Sequence, residues 1–246
     1  MATLIDQLTE LHYFVDKMQA TSSSLDKVEI LNSLKSKKFE HRTFITKVLE
    51  YTYNPYKQYN VTSKTIKKNP DLHKTGYVDL FYLLDALSKR TITGHDAIAY
   101  INAFTEPLAK DNLPSYVELV YRIIDKDLEI RAGAKVLNKA IPGLIPEFNV
   151  ALAQKYEPKL ASFGEDADET WYASRKLDGV RCLAVVDDEG RCTLYSRMGK
   201  EFTTLNKIKD AIEATGIYNT VFDGEICLLD ENGDEDFQSV MKELRR

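Results

Sequence analysis

The feature that most constrains this chain is a change of hydrophobic period near residue 145. Before it, apolar residues recur at three- and four-residue steps, the spacing of one helix face. Leu4, Leu8, Leu11, Phe14, Val15 and Met18 set this pattern. It returns at Val28 to Leu34, Phe44 to Tyr51, Val78 to Leu87, Ala97 to Phe104 and Tyr116 to Ile124. Ser24 and Asp26 suit the start of the second helix, and Thr93, Gly94 and Asp96 punctuate the fourth and fifth. No good strand is expected before residue 150.

The run Pro142-Gly143-Leu144-Ile145-Pro146 breaks the helical pattern, and a polar stretch follows at 164–169. Beyond it, Trp171 to Arg175, Arg181 to Val186 and Cys192 to Ser196 read as short strands. The last two join across Asp187 to Gly190 as a hairpin. A helix over Leu205 to Ala214 and strands flanking Val221 to Leu229 complete the reading. The fold class is therefore α+β: an all-α domain over 1–148, then an antiparallel-sheet domain over 149–246.

Composition needs the same division. The whole chain carries 33 Lys+Arg against 38 Asp+Glu, a net −5 that argues against a uniformly basic nucleic-acid coat. Residues 1–150, however, hold 20 Lys+Arg against 18 Asp+Glu, so the acidity lies beyond them. Within 35–74, Lys35, Lys37, Lys38, Arg42, Lys47, Lys57, Lys64, Lys67, Lys68 and Lys74 face only Glu40, Glu50 and Asp71. Tyr51, Tyr53, Tyr56 and Tyr59 are interleaved with them. Such a mixture suits a phosphate-backbone surface, or else a solvated helix face with tyrosines packed beneath it. The three cysteines have no Cys-x-x-Cys spacing, which disfavours a disulfide scaffold or zinc site and fits a reducing compartment. Asp6, Glu10, Asp16 and Lys17 interrupt the first twenty residues, and no apolar run is long enough for a membrane span. No membrane partner is expected, and an intracellular, cytoplasmic location is.

The sharpest chemical signal is Lys176-Leu177-Asp178-Gly179-Val180-Arg181, between two expected strands. Lys-x-Asp-Gly-x-Arg should arise by chance in only about a few per thousand chains of this length. A lysine at a strand end beside a glycine turn exposes its amine, and Arg181 adds a positive charge that favours the neutral, nucleophilic form. The bland alternative is a surface lysine before an ordinary Asp-Gly turn. Ser196-Arg197 and Asp223-Gly224-Glu225 follow in order, each weak alone.

In that order the residues resemble the covalent nucleotidyltransferases: DNA ligases, RNA ligases and mRNA capping enzymes. Asp127-Leu128-Glu129-Ile130-Arg131-Ala132-Gly133, the Pro142–Glu147 stretch and Phe237-Gln238 are similar to segments of ATP-dependent DNA ligases. With Tyr51 to Pro55 and Lys89 to Gly94, the likeness is to the T-even phage type.

The resemblance implies that Lys176 attacks the α-phosphate of ATP and carries AMP. The AMP then passes to the 5′-phosphate of nicked double-stranded DNA, and the 3′-hydroxyl seals the nick. It implies that Arg181 and Arg197 bind phosphate or ribose, and that Glu225 holds the ribose hydroxyl or supports Mg²⁺. Ser174 stands where many relatives carry an acidic or amide residue, so adenine recognition there would use backbone groups. Asp178 and Asp223 would serve turns or outer contacts. Lys35, Lys37, Lys38, Arg42, Lys64, Lys67 and Lys68 would meet the DNA backbone.

Later family motifs, including a Lys-x-Lys pair, are expected downstream of Asp223-Gly224-Glu225 and do not occur between it and Arg246. The expectation is an N-terminal part of a ligase, weak or inactive alone, whose missing half could be separately encoded. The alternatives are a non-catalytic nick-binding protein with a vestigial lysine motif, or an RNA ligase or capping-type enzyme.

Overall fold

A computed structural model of the chain describes residues 3–36, 38–152 and 174–244. They fall into two compact units that divide between Pro146 and Glu147.

The first unit is helical. It contains α1 (Leu4–Gln19), α2 (Ser24–Asn32), α3 (Arg42–Tyr53), α4 (Ser63–Lys67), α5 (Leu80–Ser88), α6 (Gly94–Lys110), α7 (Pro114–Ile124) and α8 (Ala134–Ala140). A short 3-10 turn at Ser33–Lys35 follows α2. The apolar stripe of α1 buries Leu8, Leu11, Phe14, Val15 and Met18, each contributing about 1.5–3 kcal/mol when fully buried. Ile45, Val48 and Leu49 of α3 and Val120 and Ile123 of α7 join the same core. Capping fixes where helices begin. Thr3 and Asp6 form a reciprocal capping box on α1, and the Ser23 side chain accepts from the Asp26 amide at α2.

The start of α5 corrects one expectation. Val78 continues the three-residue pattern, yet it lies outside the helix and is 93% exposed. Asp79 terminates the pattern because its carboxylate accepts from the amides of Phe81 and Tyr82 at 2.9 and 3.0 Å. Asp79→Ala is expected to destabilise the helical unit by about 1 kcal/mol in denaturant titration. Val78→Ser should change it by less than about 0.5 kcal/mol.

Two lysines, buried Lys27 and half-buried Lys126, close the unit's loops. Lys27 donates to the Arg131 carbonyl at 3.1 Å, and Lys126 donates to the carbonyls of Tyr51 and Asn54 at 2.9 and 2.7 Å. Burial pushes the Lys126 amine down to about 8. The Lys126 contacts satisfy carbonyls that the C-terminal end of α3 leaves open, and the Lys27 contact satisfies one in the loop before α8.

The second unit is built on three antiparallel strands in the order β2-β1-β3. They are β1 (Val180–Val186), β2 (Cys192–Ser196) and β3 (Thr220–Ile226). Cys182 pairs with Ser196 on one side of β1, and Arg181 pairs with Glu225 on the other. Alternation along the strands separates two faces. Cys182, Ala184, Val186, Cys192 and Leu194 form a small core with Ile208 and Ile212 of α9 (Asn206–Glu213). The opposite face carries Arg181, Leu183, Tyr195, Asp223 and Glu225, with the Phe148 ring 5.8 Å from that of Tyr195.

The expected strands flanking Val221 to Leu229 reduce to one, β3, followed by a small hairpin from Leu228 to Asp236 and α10 (Phe237–Glu243). The expected strand from Trp171 is not formed at Ser174 and Arg175, and its first three residues lie outside the described ones. No described helix is long and apolar enough to cross a membrane.

Candidate active site

The lysine motif lies at the entrance to β1. Residues 174–178 form neither helix nor strand, and Ser174 and Lys176 are exposed. At Gly179 the chain passes against the end of β3. A Cβ there would stand 2.3 Å from the Ile226 carbonyl oxygen and 2.8 Å from the Cys227 sulfur, so only glycine fits without a shift. The glycine thus seats the lysine loop on β3.

Arg181 and Asp223 sit diagonally across the β1–β3 pairing. Nε donates to one carboxylate oxygen at 2.9 Å, a terminal nitrogen donates to the other at 2.6 Å, and that nitrogen also donates to the Ala151 carbonyl at 2.7 Å. This fork holds the Asp223 carboxyl below the usual carboxylate range and raises the guanidinium above its ordinary value. The Arg181 charge is therefore offset by Asp223, and its field at Lys176 is smaller than the sequence alone suggested. Among the described residues the other terminal nitrogen of Arg181 has no hydrogen-bond partner. Asp223 itself was assigned only a turn or outer role. Its i, i+2 relation to Glu225 on a strand was the signal that both carboxylates share a face.

Glu225 is half-buried on the same open face. Gly224 between the two carboxylates faces α9, and an added Cβ there would meet nothing within 4 Å. Ser196 organises the turn after β2: its carbonyl accepts from Gly199 at 2.8 Å and its hydroxyl from Lys200 at 3.1 Å. Arg197 projects from that turn, exposed. Among the described residues no ion pair engages Lys176, Arg197 or Glu225. The sheet therefore brings Arg181, Asp223 and Glu225 together, with Lys176 at the mouth of the central strand and Arg197 at the end of the neighbouring one.

Magnesium takes oxygen ligands and is commonly held by one or two carboxylates together with substrate phosphates. The Glu225 carboxylate fits that mode. No group of three or more potential metal-binding side chains occurs among the described residues, so a cage made by the protein alone is not present there.

The basic segment of the helical unit divides. Lys35 and Lys38 are exposed between α2 and α3, and Arg42 opens α3 half-exposed. Lys64, Lys67 and Lys68 are exposed on and just after α4, with Lys67 ion-paired to Glu118 at 3.0 Å. Lys37 lies outside the described residues. Two interleaved tyrosines are core residues: Tyr51 and Tyr59 are buried, the Tyr59 hydroxyl donates to the Tyr51 carbonyl, and that of Tyr51 donates to Asp85, both at 2.8 Å. Their packing, rather than an interface, explains their spacing. Tyr56 remains exposed. Lys47 of the basic segment lines one groove with Arg42 and Thr46.

Residues 151–246 match the family model of the ATP dependent DNA ligase domain. Over 220 residues the chain is 30% identical to the DNA ligases of Enterobacteria phages T4 and T6, covering 82% of this chain and 44% of each relative. An 85-residue stretch, 34% of this chain and 10% of the relative, is 35% identical to the multifunctional non-homologous end joining protein LigD of Pseudomonas aeruginosa. The solved structures Pmar-Lig_PreS3 and Pmar-Lig_Pre. share the fold, each with a TM-score of 0.63 at 22% identity, over 94% of this chain and 52% of theirs. The second unit thus carries the part of the chain that matches the ATP dependent DNA ligase domain. Over most of its length the chain is similar to the phage DNA ligases, and it spans about half the length of those curated relatives.

Proposed function

We propose that this chain carries the nucleotide-activating lysine of an ATP-dependent DNA ligase and that Lys176 is the nucleophile. The observation that carries the reading is the placement of an exposed lysine at the entrance to β1, seated by Gly179 on the strand that bears Asp223 and Glu225. In the first step the Lys176 amine attacks the α-phosphorus of ATP; an N–P bond forms, the bond to pyrophosphate breaks, and the amine loses a proton. The AMP then moves to the 5′-phosphate at a nick, and the 3′-hydroxyl displaces it to close the strand.

Positioning and charge neutralisation supply most of the rate in such transfers. Arg197 and the free edge of Arg181 contact phosphate, while Asp223 fixes the plane of the Arg181 guanidinium. Glu225 holds the ribose hydroxyl or Mg²⁺, which when bound would neutralise phosphate charge. Ser174 borders the adenine site through its backbone.

In this reading residues 1–148 bind nicked duplex DNA through its backbone, with Lys35, Lys37, Lys38, Arg42, Lys64, Lys67 and Lys68 as phosphate contacts. Residues 149–246 carry the chemistry. The remaining length found in the relatives would come from a further segment or a separately encoded partner, and the reaction would take place in a cytoplasm.

Binding to a fluorescent nicked duplex at increasing salt tests the interface. Affinity should fall steeply with salt and ignore sequence. Each of Lys35→Ala, Lys38→Ala and Arg42→Ala should reduce the log–log salt slope by about 1. A flat salt response would remove the DNA-binding reading. Sealing of the same nick with ATP, but not GTP, tests the ligase reading; sealing confined to RNA ends would favour an RNA ligase.

A further inference from the structure

We infer that Arg175 and Glu235 form a clamp that positions the lysine loop, which makes Glu235, in the hairpin after β3, a positioning residue for Lys176. The inference rests on the reading of Lys176 as nucleophile and adds a residue that neither the lysine motif nor the Asp-Gly-Glu stretch contains.

Residues 174–178 lack ladder hydrogen bonds to a neighbouring strand, so their path must be set by side chains and by packing. Downstream, Gly179 rests on the Ile226 carbonyl. Upstream, the Arg175 guanidinium is ion-paired to the Glu235 carboxylate across 60 residues of sequence. The two partners differ in exposure: the Glu235 side chain is 11% exposed and that of Arg175 64%. The acidic partner is thus the fixed one.

Its backbone explains why. Glu235 bridges Leu229, the Asp236 amide donates to the Leu228 carbonyl at 2.8 Å, and the Asp230 carboxylate accepts from the amides of Asn232 and Asp234 at 2.8 and 3.0 Å. A tightly turned hairpin therefore presents Glu235 to the loop. Lys176 is the residue next to this anchor and three before the other. An ion pair with one exposed partner adds little to stability. Its consequence is orientational, because small misplacements of a reacting group cost rate out of proportion to the energy of the contact.

The test uses the full chain as wild type, Glu235→Gln, Arg175→Gln and the charge-reversed double variant Arg175→Glu/Glu235→Arg. Hydrogen exchange of residues 174–179 and acetylation of Lys176 by an N-hydroxysuccinimide ester are followed by mass spectrometry without ATP. Circular dichroism reports the fold. Lysyl-AMP formation is measured separately, with the complementing segment of a phage relative added if required.

Both single variants should keep the fold, speed exchange across the loop about tenfold, and slow maximal adenylylation about tenfold at nearly constant KM for ATP. The double variant should recover most of the loss. Unchanged exchange and rates in the single variants, or a double variant no better than either, would overturn the clamp. Absence of any Lys176 adduct in the wild type would instead remove the nucleophile reading, and the exchange and acetylation data would still decide the clamp.

Discussion

Lys176→Ala is expected to reduce transfer of nucleotide from ATP to the protein by on the order of 10⁴-fold or more while leaving the unfolding transition in place. The substitution removes the amine that the motif places at the entrance to β1, and binding alone cannot make the covalent adduct. The structural cost is small: Lys176 is exposed, lies outside the strand ladder and has no described ion-pair partner. Exposed substitutions of this kind usually change stability by less than about 0.5 kcal/mol. Lys176→Arg separates charge from nucleophilicity, because it keeps the cation but supplies a guanidinium that stays protonated. It should fail as completely as alanine. Denaturing electrophoresis after incubation with α-labelled ATP, alongside thermal denaturation, gives both readouts.

Gly179→Ala is expected to damage structure and chemistry together. The new Cβ would sit 2.3 Å from the Ile226 oxygen and 2.9 Å from its carbonyl carbon, and backbone atoms held in the β1–β3 pairing cannot yield as a flexible side-chain tip would. Overpacking of this kind costs about 1–3 kcal/mol. Any relief must lift the lysine loop off β3, with a rate loss of about 100-fold for a displacement near 1 Å. Gly224→Ala is the control: nothing lies within 4 Å of its added Cβ, and it should change stability by less than about 1 kcal/mol. Similar losses at the two glycines would show that seating on β3 is not what Gly179 provides.

Legibility in the sequence followed burial. Helices α1, α3, α6 and α7 were readable because each turns an apolar stripe onto one core. Helices α4 and α8 were not, since Ile66 is the only buried residue of one and Leu137 and Ala140 the only ones of the other. The hairpin of β1 and β2 was readable from alternation and its Asp187 to Gly190 turn. Strand β3 was blurred because Val221 and Phe222 are both exposed, so the pattern that marks a buried face is missing. At the site, the lysine, its glycine and the two carboxylates were visible as a local motif. The Arg181–Asp223 and Arg175–Glu235 pairs join positions 42 and 60 residues apart, and only the β1–β3 register and the hairpin after β3 bring them together.

The most direct measurement locates the nucleotide on the chain. Wild-type protein incubated with ATP and Mg²⁺, with and without the complementing segment of a phage ligase, is digested under mildly alkaline conditions that preserve phosphoramidates, and the peptides are sequenced by mass spectrometry. An AMP adduct on Lys176, lost on acid treatment and absent from Lys176→Ala, is the expected result. An adduct on another residue, or ligation by the complemented protein with Lys176 unmodified throughout, would show that Lys176 is not the nucleophile.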